Sequence, residues 1–112
     1  MPDTVHSIVY YFAVQLKKLL GTKLTKVILY GSYARGDYRE NSDVDIMILT
    51  TMSEDEIRKT ANAIYDIAFD IELEKGIHIS AVIKNENQYA YWVDTLPFYK
   101  NIQKEGLEIS AE

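Results

Sequence analysis

Two aspartates set into a run of aliphatic residues constrain this chain more than any other feature. Val27 to Tyr30 and Val44 to Leu49 are apolar runs that read as strands, and a polar connector beginning Gly31-Ser32-Tyr33-Ala34-Arg35-Gly36-Asp37 joins them. Side chains alternate along a strand, so Asp43 and Asp45 share one face while Val44, Ile46 and Ile48 share the other. Aspartate is depleted in strands, and two ionised carboxylates side by side repel each other. Such a pair asks for a divalent metal, and hard oxygen ligands favour magnesium, with manganese as the alternative. The bland alternative is a pair of solvated carboxylates where a strand begins.

The other end of the connector supplies a complement. If Ser32 opens a short helix ending near Gly36, its hydroxyl and the first free backbone N–H groups converge on one point, where phosphate binds well. Gly31 would let the backbone come close to that anion. A phosphate cradle beside a metal pair describes a site for transferring a nucleotide from a triphosphate. Arg35 either neutralises the phosphates and the departing pyrophosphate, or pairs with Asp37 or Asp43 to hold the loop. Ser42 either orients Asp43 by a hydrogen bond or simply starts the strand.

Gly31-Ser32, ten intervening residues, then Asp43-Val44-Asp45 resembles the nucleotidyltransferase signature of the DNA polymerase β superfamily. Gly31 to Gly36 followed by Ser42-Asp43 resembles the minimal nucleotidyltransferases, small proteins often paired with HEPN-domain partners in toxin–antitoxin modules. The order of elements around the motif extends the resemblance to nearly the whole chain. The resemblance implies catalytic and metal-binding roles for Asp43 and Asp45, and nucleotide-binding roles for Gly31, Ser32, Arg35 and Ser42. It further implies magnesium-dependent transfer of AMP from ATP onto a hydroxyl of a partner protein, with a HEPN-domain toxin as partner and this chain as its antitoxin. One departure stands out. Many relatives carry a third carboxylate on the next strand, but Ile77 to Ile83 holds no Asp or Glu, and His78 or Ser80 stands nearest the place. The alternative function is therefore a catalytically weak or inactive nucleotide-binding antitoxin that neutralises its partner by binding alone.

The rest of the chain is consistent with a small enzyme. A first helix spans about Asp3 to Leu20, with Val5, Ile8, Val9, Phe12, Leu16, Leu19 and Leu20 at helical spacing, Asp3 or Thr4 as N-cap and Gly21 as terminator. Ser53 and Glu56 form a capping box that opens a second long helix, whose stripe Ile57, Ala61, Ile64, Ala68 and Ile71 runs to about Lys75 and Gly76. Ile77, Ile79, Ala81 and Ile83 give a third strand one apolar face. Tyr89, Tyr91, Trp92, Phe98 and Tyr99 then crowd a short span, Pro97 can open a helix that ends at Lys104-Glu105-Gly106, and Leu107 and Ile109 suggest a short last strand.

Composition removes several classes. At 112 residues the chain reads as a single domain, 1–112, able to bury a core without disulfides, and the resemblance implies that this is a minimal nucleotidyltransferase domain. With no cysteine, thiolate and redox chemistry are excluded. No apolar run approaches a membrane span, so a soluble cytoplasmic protein is expected. Seventeen acidic against twelve basic residues, a net charge of −5, argue against general nucleic-acid binding. The expected fold is α+β, a mixed sheet of three or four strands with helices packed on one face and the metal-bearing face open. No residues remain for a substrate-gripping domain. A cleft must then come from a second copy in a homo-oligomer, a different protein, or a macromolecular substrate.

Overall fold

The computed structural model describes residues 2–110. Helical periodicity produces α1 (Asp3–Leu20), whose apolar stripe Val5, Ile8, Val9, Phe12, Ala13, Leu16 and Leu20 is buried. The chain enters it through Pro2, so Asp3 is the first helical residue, where it favours the helix dipole, rather than a side-chain cap. Gly21 (φ 58°) ends the helix, and a 3₁₀ turn leads into β1 (Leu24–Tyr30). The connector then forms α2 (Ser32–Arg35), closed by Gly36, before β2 (Val44–Thr50).

The capping box is formed in full: the Ser53 hydroxyl accepts from the Glu56 N–H at 3.2 Å, and the Ser53 N–H donates to the Glu56 carboxylate at 3.3 Å. It starts α3 (Glu54–Lys75), whose 22 residues carry the chain across the sheet to β3 (Ile79–Asn85). That strand begins two residues later than its apolar run suggests, because Ile77 and His78 are still leaving the helix. Two short helices follow, α4 (Glu86–Trp92) and α5 (Pro97–Glu105), and then β4 (Leu107–Ile109).

The sheet order is β3-β2-β1-β4. β1 lies antiparallel to both β2 and β4, while α3 acts as the crossover that makes β2 and β3 parallel. The expected α+β fold with a mixed four-stranded sheet is what forms. α1 and α3 cover one face, burying Val44, Ile46 and Ile48 with Phe12, Leu16, Ile64 and Ile71.

The opposite face departs from expectation. It is open only in part, because α4 and α5 lie over it and bury Met47, Leu49, Tyr89, Val93, Tyr99 and Ile102 in a second, smaller core. α4 went unanticipated. Its signal was Asn85, whose side chain caps the helix by accepting from the Asn87 and Gln88 N–H groups at 2.9 and 3.1 Å. Among the described residues, no helix is long and apolar enough to cross a membrane.

Candidate functional site

β2 serves two purposes through its alternation. Val44, Ile46 and Ile48 enter the main core, which leaves Asp45, Met47 and Leu49 on the opposite face. Met47 and Leu49 are buried there beneath α4 and α5, whereas Asp45, nearer the strand's beginning, lies where that cover stops. Asp43 stands just before the strand and is exposed. Asp45 pairs across the antiparallel ladder with Tyr30 and across the parallel one with Ser80. Burial, and then the neighbouring negative charge of Asp43, raise the Asp45 pKa above the ordinary carboxylate value, against the opposing pull of Arg35 and His78. The two aspartates thus feel each other's charge, which Arg35 and His78 offset only in part. Tyr30 feels the same surroundings, with burial and Asp45 pushing its phenol up to about 12, so that it keeps its proton at any physiological pH.

Gly31 is required here for a reason beyond anion approach. Its φ of 77° is one that L side chains rarely adopt, and a Cβ at this position would run into the Asp45 carboxylate. The turn after β1 and the acidic strand are thus packed directly against each other. The Gly31 carbonyl accepts from the Ala34 and Arg35 N–H groups at 3.1 and 3.0 Å, winding the single turn of α2.

A cleft of about 520 Å³ joins these parts, lined by Gly31, Ser32, Arg35, Ser42, Asp43 and Asp45 together with Tyr30 and, from α5, Phe98, Asn101, Ile102 and Glu105. All six residues singled out in the sequence therefore meet in one place. Ser42 sits there differently from either expectation: its hydroxyl accepts from the Arg39 N–H at 2.7 Å, closing the turn that delivers Asp43. For Arg35 the ion-pair alternative is present, but with a partner that sequence reasoning missed. Its Nε donates to Asp37 at 3.2 Å and its Nη1 to Glu105 at 3.2 Å, while Asp43 takes no part.

α5 is the wall that the sequence did not reveal. Phe98 meets Tyr30 edge to face, ring centroids 5.7 Å apart. Glu105 closes α5, a helix end where the macrodipole disfavours a carboxylate, and that broken local rule was the available signal. His78 lies on the far side of the acidic pair. It precedes β3, gives its backbone carbonyl to the Val44 N–H at 2.9 Å, and holds its Nδ1 2.7 Å from the Glu72 carboxylate. That hydrogen bond, foremost, raises the His78 pKa, with Asp43 and Asp45 adding smaller contributions.

The donor set suits a hard cation. Asp43 and Asp45 offer adjacent carboxylates, and no group of three or more His, Cys, Asp or Glu arranged to hold a metal exists among the described residues. Two protein carboxylates, with the remaining positions left to water and substrate oxygens, is the pattern magnesium favours when it binds with a nucleotide.

Comparison with known proteins agrees with this geometry. The profile of the nucleotidyltransferase domain family matches residues 12–109. Two Methanocaldococcus jannaschii proteins described as putative protein adenylyltransferases are similar to the chain. One is 38% identical over 92 residues, covering 82% of this chain and 91% of the relative. The other is 33% identical over 95 residues, covering 85% and 87%. Among solved structures, a toxin–antitoxin crystal structure with AMP-PNP has a similar fold, with a TM-score of 0.58 and 18% identity over 92% of this chain and 73% of that one. The resemblance carried by Gly31-Ser32 and Asp43-Val44-Asp45 thus extends across the sheet and both long helices, and the chain belongs to the nucleotidyltransferase domain family.

Proposed function

We infer that this nucleotidyltransferase moves AMP from ATP onto a hydroxyl of a partner protein, with magnesium, or manganese in its place, held by Asp43 and Asp45. The observation that carries the reading is the packing of the Gly31–Ser32 turn directly against Asp45, which sets phosphate-binding groups and metal-binding carboxylates in one cleft. A cation bound to the two aspartates would neutralise charge on the α-phosphate and on the departing oxygen. Ser32 and the free N–H groups of its turn hold the outer phosphates, and Arg35 offsets the charge of the pyrophosphate as it leaves. The acceptor oxygen bonds to the α-phosphorus, the bridge to the β-phosphate breaks, and the hydroxyl proton must be taken up. With no carboxylate on β3, that role falls to His78, whose Nδ1 lies against Glu72 before that strand, or to a group of the acceptor itself.

The names of the archaeal relatives support a protein acceptor, and the fold shared with a toxin–antitoxin complex supports a toxin as partner, which we take to be a HEPN-domain protein in the cytoplasm. We take residues 1–112 to work as one domain, with the partner or a second copy completing the cleft. A second reading, neutralisation by binding alone, is favoured by one observation: Ser80, without a carboxylate, stands beside Asp45 on β3.

Incubation with the product of the adjacent gene, ATP and magnesium, followed by intact mass, separates the two. Transfer predicts a mass increase of one AMP or more on the partner, lost in Asp43→Asn/Asp45→Asn and enhanced in Ser80→Asp. An unmodified partner that the double variant neutralises as well as the unaltered protein does would replace the first reading with the second.

A further inference from the structure

The carboxylate of Glu105 serves two groups of the nucleotide cleft at once. Its Oε1 accepts from the Gly31 N–H at 3.3 Å and from Arg35 Nη1 at 3.2 Å. The residue is 74 positions from Gly31 in sequence, so only the packing of α5 brings it there. That packing is tight. Gly106, the next residue, leaves no room for a Cβ, which would meet the Ile102 carbonyl and the Ile28 side chain, so the end of α5 is seated on β1. On its other side Arg35 is held by Asp37 through Nε. The guanidinium is thus gripped at Nε and Nη1, and among the described residues its Nη2, with two N–H donors, has no partner.

We propose that Glu105 is a positioning residue of the nucleotide site, which orients the Arg35 guanidinium and braces the Gly31–Ser32 turn so that both meet the phosphates of a nucleoside triphosphate. The inference rests on the nucleotide reading given above and deepens it. An exposed arginine beside two carboxylates has many rotamers; clamped at two of its nitrogens in the wall of the cleft, Arg35 keeps the third for a ligand without losing further conformational freedom on binding. A carboxylate at the C-terminal end of a helix is unfavourable on its own, and the two donors it meets here offset that cost.

A double-mutant cycle tests the idea, with ATP and magnesium titrated calorimetrically into the unaltered protein, Glu105→Ala, Arg35→Ala and the two combined. Glu105→Ala is expected to weaken binding about tenfold, the size of one charge-assisted hydrogen bond. In the Arg35→Ala background the same change is expected to cost about threefold or less, because its main target has gone. Glu105→Gln keeps an acceptor for the Gly31 N–H and should fall between. It carries the same cycle if Glu105→Ala loses its cooperative thermal transition. Unchanged or tighter ATP binding in the Glu105 variants, or full additivity with Arg35→Ala, would overturn the proposal, the tighter case showing that the carboxylate competes with phosphate. Absence of ATP binding by the unaltered protein would instead remove the nucleotide reading, and this inference with it.

Discussion

The two faces of the sheet are built to different ends, although β2 supplies both. Toward α1 and α3 the strand presents Val44, Ile46 and Ile48, all apolar and buried beneath the helices. Toward α4 and α5 the same strand buries Met47 and Leu49 but leaves Asp45 at the margin of the cover, against Gly31. One face is devoted to stability. The other divides its length between a small core and a cleft, and the helix that completes that core, α5, also walls the cleft.

Truncating a buried side chain on each face probes that division most strongly. Ile64→Ala removes a fully buried residue of the main core and Ile102→Ala one of the second, and each is expected to lower unfolding free energy by roughly 2–5 kcal/mol. Their effects on function should part. Ile102 lines the cleft and Ile64 does not, so only Ile102→Ala should also weaken ATP binding under conditions where both proteins stay folded. Denaturant unfolding alongside calorimetric titration checks this, and equal effects on binding would show that the faces are not separable.

Next in size is the loss expected from Asp43→Asn/Asp45→Asn, about 10²–10³-fold in transfer, comparable to removing a preorganised electrostatic contact at a reacting group. Circular dichroism should be unchanged. Asp43 is exposed, and Asp45, whose raised pKa marks its ionised form as unfavourable in the fold, contributes nothing to stability by being charged. Ser32→Ala should cost less, about tenfold, since the backbone donors of the turn remain.

The smallest effect lies outside the lining of the cleft, where His78 meets Glu72. The His78 pKa is raised in the fold, so the folded protein holds the proton more tightly than the unfolded chain. The resulting stability is fully present below the ordinary value of 6.5 and lost as pH climbs through the raised one. Glu72→Gln should therefore lower stability at about pH 6, by under about 1 kcal/mol for so exposed a pair, and leave it unchanged at about pH 9. Thermal unfolding at the two values decides it. An equal loss at both would show packing rather than charge.

Much of this protein is written locally in its sequence. The stripes of α1 and α3, the Ser53–Glu56 box, the terminating Gly21 and Gly76, and the alternation that sets Asp45 against Val44 and Ile46 all depend on neighbours within a turn or two of chain. So does the turn of Gly31 to Gly36, and with Asp43 and Asp45 this made the family and the heart of the candidate site legible. Tertiary packing decided the rest. The aromatic run from Tyr89 to Tyr99 favours core or the cover of a sheet edge, but nothing local shows that α4 and α5 would fold back over the acidic face, where Met47 and Leu49 meet it. Nor does the sequence show that Glu105 reaches Gly31 and Arg35 from 74 and 70 residues away. That meeting depends on β4 pairing with β1 and on Gly106 lying against Ile28. Periodicity and caps act through the backbone of a single segment, whereas the walls of the cleft come from segments brought together only when distant apolar surfaces are buried against one another.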